Sequence, residues 1–97
     1  MVWYRMAHTI QKKSELLKRV RRVRGQVEAV ERALEGEKGC ADVLHLVVAA
    51  RGGMNSLMAE IISGHIRSHV VDPAQERDSA RAKGAEELLA VVQAYLK

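Results

Sequence analysis

Five side chains in this sequence can bind a transition metal: His8, Cys40, His45, His65 and His69. His65 and His69 are four residues apart, so on a helix both imidazoles leave from one face and can share an ion, although two histidines at that spacing are often incidental. Traced back in helical turns through Ile62, Met58, Asn55, Arg51, Val48 and Leu44, the same stripe arrives at Cys40. Cys40 and His65 would then be separated by roughly 37 Å of helix, too far to share one ion within one chain. Two copies solve the problem. Packed antiparallel about a two-fold axis, they set Cys40 of one opposite His65 of the other if they cross between Gly52 and Gly53. Adjacent glycines cost roughly 1 kcal/mol each inside a helix and want a reason, either close backbone approach or a kink.

His8 fits the same arrangement, because an antiparallel hairpin turning at about residue 38 pairs position 8 with about 68. The expected site is His8, His65 and His69 from one protomer and Cys40 from the other. Three imidazoles and a thiolate suit Ni(II), Co(II) or Zn(II) better than Cu(I), which prefers sulfur-rich sites. His45 lies about 140° round the helix from Cys40 and is left outside.

The elements that must position these residues are helices. Leu16, Val20, Val23, Val27, Val30 and Leu34 recur in alternating steps of four and three, a helical seam. This predicts a first helix over about 9–36, started near Thr9 and stopped by the glycines at 36 and 39. A second is predicted over about 41–70, apolar over a wide arc and ended by Asp72-Pro73. After a polar loop to about Ser79, a third runs over about 80–96 with Leu88, Val92 and Tyr95 on one face. No repeat, low-complexity tract or strand is visible. The expectation is a single all-α domain over 1–97, with residues 1–8 as an N-terminal arm. Three helices cannot cover this much apolar surface alone, which predicts an antiparallel bundle made by two chains.

Composition agrees. The 97 residues suffice for one core, with no Phe, one Pro and 47% hydrophobic residues dominated by Ala, Val, Leu and Ile. One cysteine makes no internal disulfide, and there is neither a bilayer-spanning run nor an apolar leader, so the expected location is the cytoplasm, with no membrane partner. The net charge of +4 is unevenly placed: residues 11–24 carry seven cations and only Glu15 as an acid, leaving the rest of the chain net negative. Such a segment is either a solvated helix face or a footprint for a polyanion.

Several stretches together resemble a known family: His8-Thr9-Ile10, RVRRVRGQVEAVERALE at 19–35, Cys40, AARGGMNSLMAEI at 49–61, GHIRSH at 64–69 and AYLK at 94–97. In type and spacing they are similar to the CsoR/RcnR/FrmR family of metal- or formaldehyde-sensing transcriptional repressors, over nearly the whole chain. The resemblance implies an all-helical dimer of dimers that binds operator DNA when ligand-free and lets go when its effector binds. The set His8, Cys40, His65 and His69 resembles the nickel/cobalt-responsive RcnR/DmeR branch. Copper sensors have a second cysteine where this chain has His69. Formaldehyde sensors usually lack the second histidine of the pair and use an N-terminal proline, absent here. The family usually begins at what is here Met6, so Val2 to Arg5 is an extension, and Met1 and Met6 are both candidate starts.

The resemblance also implies that Arg19, Arg21 and Arg22 contact DNA, with Lys12, Lys13 and Lys18 extending the stripe and Arg51 and Lys97 as weaker candidates. No helix-turn-helix or zinc-finger spacing is present, so recognition would come from a bundle surface contacting phosphates and DNA shape. The competing expectations are a formaldehyde-responsive repressor acting through Cys40, a helical metal-buffering protein without DNA binding, and an enzyme with Cys40 as nucleophile. The last lacks a carboxylate orienter near the cysteine.

Overall fold

A computed structural model describes residues 12–96 of the chain. They form three helices in the order α1 (Lys13–Glu35), α2 (Cys40–His65) and α3 (Ser79–Leu96), and a π-helical turn, Ile66–Val70, continues α2. No strand occurs among the described residues. The expectation of an all-α chain of three helices is met. The predicted start near Thr9 lies outside the described residues.

α1 and α2 form an antiparallel hairpin closed by Gly36–Gly39. The backbone bonds Glu37 N–H to Leu34 O (3.1 Å) and Lys38 N–H to Ala33 O (2.9 Å) make a Schellman ending for α1. Its left-handed residue is Glu37 (φ 55°), and no described glycine has a positive φ. The glycines therefore mark the turn without occupying its demanding position.

The helical seam of α1 divides between two environments. Val23 is buried and Leu16 and Val30 are half-buried, whereas Val20, Val27 and Leu34 are exposed. Close packing with α2 is set by Gly53, where a Cβ would collide with Gln26 Oε1 and lie 3.1 Å from Val23 Cγ2. Gly52 has open space around it. The close approach that the glycine pair called for is thus made, at Gly53, by α1 of the same chain. The suggested crossing of two copies at this point has no part in that contact.

Beyond the π turn, Val71 is extended (φ −157°, ψ 133°), as expected of a chain approaching Asp72-Pro73. Asp72 Oδ1 accepts from Ala74 N–H at 3.0 Å. Asp78 then caps α3 by accepting from Ala80 and Arg81 N–H at 3.0 and 3.3 Å. α3 packs on the C-terminal half of α2, where Gln93 Nε2 donates to the buried Ser63 Oγ at 3.0 Å.

Among the described residues the core of one chain is small: the buried apolar residues are Val23, Ala33, Ala59, Ile66, Ala85 and Leu89, three of them alanines. Thirteen larger apolar side chains among the described residues remain exposed, including Leu44, Val47, Val48, Met54, Met58 and Ile61 on α2. The wide apolar arc of α2 is therefore only partly covered within one chain. At about 100° per residue, Val20, Val27 and Leu34 of α1 and Val47, Met54 and Ile61 of α2 lie on one side of the hairpin.

Candidate metal centre and nucleic-acid interface

Cys40 is the first residue of α2 and is exposed. His65 is its last α-helical residue, and His69 lies in the π turn. Their ring centroids are 4.6 Å apart and tilted by 35°, so the histidine pair does form one cluster. His65 is exposed and His69 half-buried. Cys40 shares the angular stripe of His65, together with Val47, Met54 and Met58, at the other end of the helix. Among the described residues of one chain, no three His, Cys, Asp or Glu come together to hold a metal ion. His8, expected as a third imidazole, lies outside the described residues. His45 is exposed and off this stripe.

The π turn was not legible in the sequence. Its wide geometry is reported by Val71 N–H donating to Ile66 O at 2.8 Å, five residues back. Such turns often accompany functional sites, and this one contains His69.

Of the cations expected to meet DNA, Lys12, Lys13, Lys18, Arg21 and Arg22 are exposed. Arg24, also exposed, pairs with Glu28 at 3.8 Å, a surface pair of little energetic consequence. Arg19 differs. It is half-buried, its Nη1 donates to Ser56 Oγ at 2.6 Å, and its Nη2 lies 3.7 Å from Glu60 Oε1. The sequence reading passed over Ser56 and Glu60, yet the hairpin register that pairs 8 with about 68 also sets 19 opposite about 57. Arg51 is exposed on α2, and Lys97 lies outside the described residues.

A helical hairpin with a basic outer helix and a histidine pair on its inner one matches the profile of the family described as metal-sensitive transcriptional repressor, over residues 12–94. The chain belongs to that family. It is 37% identical to the transcriptional repressor RcnR of Salmonella paratyphi B (strain ATCC BAA-1250 / SPB7) over 92 residues, covering 95% of this chain and all of that protein. It is 42% identical, with the same coverage, to a protein of Serratia marcescens described as uncharacterized, in the bioA 5' region. As a metal-sensitive repressor it has a metal effector and a DNA partner. No helix among the described residues is long and apolar enough to cross a membrane.

The donors present fit a metal effector in part. His65 and His69 already stand together on one side of α2, and an imidazole pair is a sound beginning for a borderline divalent ion. Completing the set with Cys40 requires a second chain, because one helix keeps the two ends apart.

Proposed function

We propose that this protein is a cytoplasmic repressor that binds operator DNA when metal-free and is released by Ni(II) or Co(II), controlling a metal-efflux gene. The observation that carries the reading is the stripe on α2: Cys40 at one end, the clustered His65 and His69 at the other, and exposed Val47, Met54 and Met58 between them. An apolar stripe left open by its own chain is a surface for a second copy. In an antiparallel pair of copies each Cys40 is carried to the other chain's histidines. The assembly is a homodimer, doubled to a homotetramer, and the metal set is His8, His65, His69 and Cys40 of the partner subunit. Zn(II) can also bind such nitrogen and sulfur donors.

DNA is met by the outer face of α1 through Lys18, Arg21 and Arg22, with Lys12 and Lys13 at its start and Arg19 at its inner edge. Metal drawn into a site shared by two chains changes how their α1 helices are presented. By linkage, a metal that favours the released state binds less tightly to the DNA-bound protein.

The test is a DNA-binding titration, with a duplex from the promoter of the protein's own gene, against Ni(II), Co(II), Zn(II) and formaldehyde. Release by Ni(II) or Co(II) is expected, and His8→Ala is expected to keep measurable metal binding but lose most of that release. Release by formaldehyde with no response to either metal would identify an aldehyde sensor acting through Cys40. Failure to bind DNA under any condition would leave a metal-buffering protein.

A further inference from the structure

On the side of the hairpin opposite the apolar stripe, the start of α1 and the end of α2 enclose a cleft of about 260 Å³. Its charged lining is Lys12, Arg19 and Arg67 against Glu15 and Glu60. At about 30 Å³ per water, that space holds a phosphate group with several waters. Lys18 and Arg22, one residue before Arg19 and one turn after it, continue the positive surface along α1 beside the cleft. Arg67 has no part in the DNA surface expected from α1, because it comes from the π turn at the end of α2.

Arg19 is held within this cleft. A guanidinium has five N–H donors, and only two of its nitrogens are engaged, by Ser56 Oγ and Glu60 Oε1. The Glu60 contact is the looser of the two, at 3.7 Å, between side chains each more than one-third exposed. A phosphate oxygen is a competing anion of the same kind, with the additional capacity for bidentate pairing.

We propose that this cleft binds a phosphodiester of the DNA backbone through Lys12, Arg19 and Arg67, and that Glu60 holds Arg19 until the phosphate displaces it. The inference rests on the DNA-binding reading above and adds to it a site on α2. Its location joins the two halves of the switch. Arg67 is flanked in sequence by His65 and His69 and leaves the helix on the opposite side, so a metal drawn to the histidines and a phosphate held by Arg67 act on one helical turn.

The experiment measures binding of metal-free full-length protein to a duplex from its own promoter, over a range of KCl concentrations. Arg67→Ala is expected to weaken binding and make the slope of log affinity against log salt shallower by about one for each occupied cleft. Arg67→Lys, which keeps the charge, is expected to recover most of that slope. Glu60→Gln is expected to tighten binding several-fold, a gain that a merely structural role for Glu60 would not produce. Arg77→Ala removes the same charge from an exposed position outside the cleft and is expected to leave the slope unchanged. A wild-type midpoint and slope for Arg67→Ala, no tightening for Glu60→Gln, or an equal loss in Arg77→Ala would each overturn the cleft while leaving the repressor reading intact. Wild-type protein that binds no DNA would overturn both.

Discussion

The two ends of α2 carry the candidate metal donors under opposite conditions. At the histidine end, Ile66 and Ser63 are buried, Gln93 of α3 bonds to Ser63, and the π turn closes on Val71. This end is braced by α3. At the cysteine end, Cys40 follows Gly39, which gives α2 no side-chain cap, and both its side chain and that of Leu44 one turn on are exposed. The difference assigns separate tasks. The two imidazoles are brought together by their own chain, whereas the cysteine stands exposed at the far end of the helix, where the proposed dimer would carry it to the histidine pair of a second copy.

The largest expected effect breaks the comparison at its midpoint. Met54→Asp places a charge on the exposed apolar stripe between the two ends, and burying that charge unpaired between two copies would cost several kcal/mol. Sedimentation should show the variant as monomers, with loss of high-affinity metal binding. An unchanged mass would remove this stripe from the interface.

The next effect addresses the division of labour directly. Cys40→Ala chains mixed with His65→Ala/His69→Ala chains should regain one high-affinity Ni(II) or Co(II) site per heterodimer, while neither parent has one. No recovery under conditions of subunit exchange would show that the ends do not meet between chains.

A smaller effect separates the two glycines. Gly53→Ala forces a Cβ against Gln26 and Val23 and is expected to lower stability by about 1–3 kcal/mol, as overpacking does. Gly52→Ala enters open space and should raise stability by up to about 1 kcal/mol through helix propensity. Thermal melts of the two variants check this, and equal effects would contradict the packing described for Gly53.

The smallest effect compares the bracing itself. Gln93→Ala leaves the buried Ser63 hydroxyl without this donor and should cost about 1 kcal/mol in denaturant unfolding. Cys40→Ser, at the exposed end, should change the stability of metal-free protein by less than about 0.5 kcal/mol. A larger loss at Cys40 than at Gln93 would reverse the assignment of the braced end.

The sequence by itself determined the elements, because the signals for them are local. The four-three seam of α1, the glycines at 36 and 39 and the Asp72-Pro73 stop act through backbone dihedrals and one-face burial over a few residues. It also determined that His65 and His69 share a face and that Cys40 lies on their stripe a full helix away, since both follow from helical rise and twist. Tertiary structure decided which partners these residues take. Glu37 adopts the left-handed position between two glycines because the chain reversal, closed by bonds back to α1, imposes it there. Gly53 is occupied by the approach of α1, and Arg19 turns inward to Ser56 and Glu60 while Arg21 and Arg22 stay outside. Three arginines within four residues are chemically equivalent in the sequence. Only the angle at which α1 meets α2 makes one of them a clamp within the fold and leaves the other two for solvent and its anions.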